Sequence, residues 1–332
     1  MASSHTFTFH DPDLYQHAVR AAQVEIVVTG KGRFRSGLTR IDLPRLWMQS
    51  GDDNLPRVAW AQYSASRAPI HFSTRTNQAS VEISGMEVSP DDIVVVGEGS
   101  SQHTRTKGPV RWGSMSLTPE DLAAAGRAVI GRELAVPSIT HVVRPAAEVL
   151  SRLTELYRSA GILAQTTPIL LTQPEVVRAL EQTLLHAMVR CLADNGTPGE
   201  KSIGNLRHVA VIARLEDLLA ANHDRPLYLA EICTAIGVAE RTLRTCCEEH
   251  LGMGPIRYLW LRRMHLAHGA LNRATSATTT VTEIATAYGF WELGRFAVAY
   301  RALFGESPSV SLSRSPAGPS KPGNRPIDLP AA

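Results

Sequence analysis

LAEICTAIGVAERTLRTCC, Leu229 to Cys247, and TEIATAYGFWELGRFAVAY, Thr282 to Tyr300, are two statements of one pattern. Each carries an isoleucine, a small residue, three variable positions, a glycine and an apolar residue. These are Ile232-Cys233…Gly237-Val238 in the first stretch and Ile284-Ala285…Gly289-Phe290 in the second. A further apolar anchor follows each, at Leu243 and Phe296. Two helices that cross closely need a small residue at the contact, and the turn between them favours glycine, which adopts positive φ without a Cβ clash. The anchor fixes the second helix to the first and leaves its opposite face free for a DNA major groove. Any pair of hairpinned helices imitates one such match. Two of them, roughly fifty residues apart and joined by an amphipathic helix, decide the fold.

The second unit concentrates aromatics in a chain otherwise poor in them: Tyr288, Phe290, Trp291, Phe296, Tyr300 and Phe304. Phe290, Phe296, Tyr300 and Phe304 read as the clamp that holds a helix against a small unit with little other core. Trp291 lies at the mouth of that helix, where it either packs or meets a nucleic-acid backbone.

From about Leu206 to Leu312 the sequence resembles the AraC/XylS family of transcription regulators. In the second unit the resemblance rests on Ile284-Ala285, Gly289-Phe290, Phe296, Tyr300-Arg301 and Phe304-Gly305-x-Ser307-Pro308. In the first it rests on Leu229-Ala230, Gly237-Val238, Leu243, Gly252, Pro255, Tyr258-Leu259 and Arg263-Met264. The resemblance implies two helix-turn-helix units, built on Cys233, Gly237, Leu243, Ala285, Gly289, Phe290, Phe296 and Tyr300. It also implies a first recognition helix over about 239–249, with Ala239 and Glu240 at its entry and Arg241, Arg244 and Thr245 on the groove face. The second would run over about 291–303 and present Trp291, Glu292 and Arg295, with Arg301 toward the backbone. Arginine bonding guanine O6 and N7 together is the commonest specific contact.

The chain departs from the family at both helices. Val298 stands where an arginine is usual, Thr245 and Cys247 replace the usual arginine and phenylalanine, and Gly254 replaces the usual serine. The first unit is therefore expected to read bases and the second to position the protein on phosphate and shape.

The whole chain fits that frame. Its 332 residues suggest two domains, and 44% hydrophobic with 20% charged residues is globular composition. A net charge of +3 decides nothing about nucleic acid. Between Lys201 and Lys321 arginine replaces lysine throughout, a pattern that suits phosphate and guanine but that a codon bias also produces. No apolar run reaches a membrane span, no signal peptide is visible, and four scattered cysteines suggest a reducing cytoplasm.

EIVV, LTRIDL, RLWMQSG, RVAWAQYS, IHFST, VEISG, DIVVVG and RWGSMSL predict strands over about 23–117, and Thr118-Pro119 opens a helical stretch to about 193. The expected fold class is α+β: a β-barrel or jelly-roll-like sheet domain with a helical extension, then an all-α domain with two helix-turn-helix units. The divisions are 1–195, a linker at 196–205, the DNA-binding part at 206–313 and a disordered tail at 314–332. The first part also resembles the cupin-like effector-binding, dimerising half of such regulators. Trp47, Trp60, His71 and Trp112 are candidates for its small-molecule pocket, against ordinary core for any single one.

No catalytic residue, cofactor or metal is expected. Cys246 and Cys247 diverge on a helix, GTPGEKS fails the phosphate-loop spacing, and TGKGRF reads as a turn. His265 and His268, one turn apart with no third ligand in view, read as surface histidines. His71 and His103 lack the HxH of a cupin metal site. The expected function is a cytoplasmic, sequence-specific, ligand-responsive DNA-binding regulator of the activator kind. Its implied partners are operator DNA, RNA polymerase, an effector and a second copy bound through the N-terminal half. The alternative is a cupin-like metal enzyme with an accessory helical domain.

Overall fold

The computed structural model describes residues 2–193, 206–222, 225–275 and 278–314. The linker expected at 196–205, with GTPGEKS, and all but the first residue of the tail expected at 314–332 lie outside the described residues.

Period-two patterning builds two antiparallel sheets. The larger runs β1 (Ser3–Phe9), β3 (Ser36–Asp42), β4 (Trp47–Asp53), β11 (Val110–Leu117), β6 (Ala68–Ser73), β9 (Ile93–Val95) and β12 (His141–Val143) in that spatial order. The smaller runs β2 (Ala22–Val28), β5 (Arg57–Tyr63), β10 (Ser101–Arg105), β7 (Val81–Ile83) and β8 (Met86–Val88). The sheets face each other without closing, so the N-terminal half is a jelly-roll-like sandwich and not a barrel.

Alternation decides what each face buries. On the larger sheet Ile41, Met48, Ile70 and Met115 join one core with Leu153 and Tyr157 of α3 (Ala147–Thr166) and Leu184 and Met188 of α4 (Pro174–Ala193). α4 packs on this half together with α3 and α2 (Pro119–Ile130). Thr118 caps α2 by accepting from Asp121 N at 3.1 Å, and Pro119 takes its first turn.

The smaller sheet is covered on both sides. Ile26 and Ala59 face the sandwich interior, while Val27 and Val58 enter the core of the C-terminal helices. Those helices are α5 (Leu206–Ala221), α6 (Leu229–Ile236), α7 (Glu240–Leu251), α8 (Pro255–Arg273), α9 (Val281–Ala287), α10 (Leu293–Phe304) and α11 (Pro308–Ser313). The molecule is therefore layered: helices, larger sheet, smaller sheet, helices.

Charge stitches the last two layers. Glu25 shares the outward face of β2 with Val27 and receives Arg262 of α8 at 2.6 and 3.1 Å. His103 of β10 lies 3.0 Å from Glu216 of α5, which also accepts from Tyr258 Oη at 2.9 Å. Burial would raise the Glu216 carboxyl, but the His103 and Tyr258 contacts and the Arg262 charge hold it below its ordinary value. His265 Nε2 donates to the Val28 carbonyl at 3.0 Å, and His268 stacks on Phe304 at 4.1 Å. The histidines read as surface residues are thus covered, because α8 is the central strut and the sheet layer closes over its second face.

Candidate nucleic-acid interface

Each helix-turn-helix closes with the same two backbone bonds. In the first, Gly237 N donates to Thr234 O at 3.3 Å and Val238 N to Cys233 O at 3.1 Å. In the second, Gly289 N donates to Thr286 O at 3.0 Å and Phe290 N to Ala285 O at 2.9 Å. This is the Schellman termination, which needs left-handed backbone at the glycine, and φ is +68° at Gly237 and +78° at Gly289. The small residue of the motif thus supplies the carbonyl that ends its helix as well as room for the crossing.

The anchors are buried. Leu243 is 0% and Phe296 3% exposed, and Cys246 and Cys247 join Leu243 in the core. In the second unit the aromatics form a ladder, with Phe290–Phe296 centroids 4.9 Å apart, Phe296–Tyr300 5.5 Å and Tyr300–Phe304 4.6 Å. Tyr300 Oη donates to Ser311 Oγ at 2.7 Å and meets His268 Nδ1 at 2.6 Å, so α10 is bonded to both α11 and α8. Trp291 is 74% exposed and stands outside the ladder, just before Glu292 at the cap of α10.

The outer faces differ in chemistry. On α7, whose cap is Ala239, the residues Glu240, Arg241, Arg244 and Thr245 are all exposed. Arg244 is held by Glu240 one turn back at 3.0 Å. On α10, Leu293, Gly294, Arg295, Val298 and Arg301 are exposed, and Arg295 pairs with Glu292 at 2.8 Å. A residue the sequence reading passed over is Arg257, in the first turn of α8. It stacks over Trp260 at 4.4 Å and shares a groove with Arg244 and Arg263. Pro255 at the start of α8 was the available signal, since it brings that helix start beside the end of α7.

The four proposed pocket residues separate. A cavity of about 140 Å³ between the sheets is lined by His71 and Trp112, together with Tyr15, Arg57, Tyr63 and Gln102. Trp60 does not line it: it shares the face of Val58 and His103 and looks toward the C-terminal helices. Trp47 does not line it either; it lies at the start of β4 with the Arg67 guanidinium 3.8 Å over its ring. Strand parity removes the first and strand position the second. Within the cavity walls Tyr15 Oη, His71 Nε2 and Gln102 Oε1 make no hydrogen bond among the described residues. Burial alone pulls His71 down to about 4, so the ring is neutral. Arg57 is neutralised by Asp53 at 2.8 Å.

Residues 232–314 match a family model described as a helix-turn-helix domain. Over these residues the chain is similar to regulators of the AraC/XylS family. The chain is similar to the probable thc operon regulatory protein of Rhodococcus erythropolis, 41% identical over 100 residues, 30% of each chain. It is also similar to the XylDLEGF operon transcriptional activator 2 of Pseudomonas putida, 35% identical over 100 residues, 30% of this chain and 64% of that one. The matched stretch thus spans 30% of the first relative's length and 64% of the second's. Among solved structures, the AraC-like transcriptional activator CuxR aligns with 78% of this chain and 93% of its own, at 15% identity and TM-score 0.39. No helix among the described residues is long and apolar enough to cross a membrane.

Proposed function

We propose that the protein is a sequence-specific DNA-binding transcription regulator, acting as an activator as its relatives' names state of them. The observation that carries this reading is the paired outward face. Two helix-turn-helix units turn their anchors into one core and leave Arg241, Arg244 and Arg295 exposed on the second helix of each. In the layered arrangement neither face is covered by the sheets. The two helices would enter successive major-groove segments about one turn apart.

In this reading residues 1–195 form the sensor and dimerisation half and 206–313 the DNA-binding half, in the cytoplasm, with RNA polymerase as the partner in activation. The cavity holding His71 and Trp112 favours a small, mostly apolar effector, because its charged wall residues Arg20, Arg57, Asp92 and Arg111 are each already paired. An enzymatic reading is not favoured by the cavity, in which His71 is the sole histidine among the lining residues.

Footprinting upstream of adjacent genes, with random DNA as competitor, tests the proposal. Protection of a defined site about two turns long is expected, with affinity falling steeply as salt rises. Binding that neither distinguishes that site from random DNA nor responds to salt would end the proposal.

A further inference from the structure

The end of the first recognition helix meets the start of α5 in a group of metal-competent side chains. His208 Nδ1 lies 2.5 Å from Glu249 Oε2, and His250 Nε2 lies 3.9 Å from Glu249 Oε1. One ligand atom from each residue falls within 4.8 Å of the others. His250 is 1% exposed, and its Nε2 makes no hydrogen bond among the described residues. The turn between β7 and β8 closes over the group: a Cβ at Gly85 would stand 3.3 Å from Glu249 Cγ and 3.7 Å from His250 Cε1.

An imidazole nitrogen buried without a partner is an expense that folding normally avoids. His208 and Glu249 satisfy each other and leave His250 Nε2 without a hydrogen bond. One ion would engage all three. From these observations we infer that His208, Glu249 and His250 form a binding site for a divalent first-row transition metal such as zinc(II).

Two neutral imidazoles and one carboxylate are a donor set that zinc takes in three-ligand sites, with water in the fourth position. Calcium and magnesium prefer oxygen throughout and are disfavoured. Ligand atoms sit roughly 3.3 Å apart around a tetrahedral ion with bonds of about 2.1 Å. The 2.5 Å contact must therefore open and the 3.9 Å contact shorten, both by side-chain rotation. The exposure of His208, at 22%, and Glu249, at 33%, gives an ion a way in. The ion would pin the C-terminal turn of α7 to α5 beneath the β7–β8 turn. It would bind whether or not the arginine faces read DNA.

The test uses the full, tag-free chain stripped with a chelator and titrated with cobalt(II), then competed with zinc(II). The expected result is saturation at one equivalent, a visible ligand-field band without thiolate charge transfer, and a thermal midpoint raised by the metal. His208→Gln and Glu249→Gln should each weaken cobalt binding by at least about tenfold, as loss of a ligand does where even an outer partner is worth that much. His10→Gln, exposed and remote, should bind as the wild type does. Melting in chelator verifies that the variants fold, and His208→Gln, at a partly exposed position, stands in if Glu249→Gln does not. No saturable uptake, a thiolate band placing the ion on cysteine, or unchanged binding by folded His208→Gln would each overturn the site.

Discussion

Thr245 and Val298 hold corresponding places on the two recognition helices, each two residues beyond its anchor, Leu243 or Phe296. Neither offers a base much. Thr245 Oγ1 is bonded to the Arg241 carbonyl of its own helix at 3.1 Å, and Val298 is 73% exposed with no polar atom. In the proposed reading, base contacts would fall to Arg241 and Arg244, the latter already oriented by Glu240. Arg244→Ala should reduce the preference for the cognate site over a scrambled one by about 1–3 kcal/mol. Arg301→Ala should weaken both equally and lower the salt slope by about one. Gel-shift titrations at several salt concentrations separate the two, and equal losses from Arg244→Ala on both DNAs would count against its role.

A second residue-scale expectation concerns acid. Burial, foremost, holds His71, His265 and His268 down to about 4, against an unfolded value near 6.5. The unfolded chain therefore protonates first as pH falls. Stability should be level above about pH 6.5 and decline from there toward 4, by up to about 1.4 kcal/mol per pH unit for each ring. Urea midpoints measured from pH 7.5 to 5 should fall. A flat profile would mean that these rings are not buried in the folded state.

At the scale of elements, the two first helices of the units are held differently. Thr280 caps α9 by accepting from Glu283 N at 3.2 Å, and the Glu283 carboxylate returns to Thr280 N at 2.8 Å, a complete capping box. The cap position of α6 is Tyr228, which makes no side-chain bond there. Thr280→Ala should destabilise by about 1 kcal/mol, read as a lower urea midpoint at unchanged slope. No change would show that packing of α9 on α8 supplies its stability.

Elements of this kind were legible in the sequence wherever local chemistry writes them: the Thr118-Pro119 start of α2, the glycine turns, every strand expected between 23 and 117. Those missed have weak local signals. β8, β10 and β12 are three to five residues long, and each strand is held by pairing with a neighbour. β1 draws its register from β3, some thirty residues away, through pairs such as Phe7↔Leu38. Trp60, a pocket candidate weighed against ordinary core, lies outside the cavity; the alternation of β5 separates it from Ala59 and Ala61, but the sequence does not say which face the cavity takes.

At the scale of the molecule, that cover is the C-terminal half itself, and no sequence period announces it. Glu25 and Arg262 are 237 positions apart, His103 and Glu216 113. His208 and His250 were invisible as a pair for the same reason. The seam these contacts form determines how a helix-turn-helix domain is carried relative to its sandwich. Arg262 is 4% exposed, so removing its partner leaves a buried charge, a loss of roughly 3–5 kcal/mol from the docked arrangement. Arg241, Arg244 and Arg295 stay exposed with the sheets in place, so that loss need not reach a single proposed DNA contact. In a dimer joined through the N-terminal halves, the seam would instead set the distance between two half-sites. Glu25→Gln should therefore bind an isolated half-site within about twofold of wild type while losing discrimination among paired half-sites of different spacing. Gel shifts on a spacing series measure this. Equal loss on single and paired sites would mean that the seam supports the fold of the DNA-binding half and not its orientation.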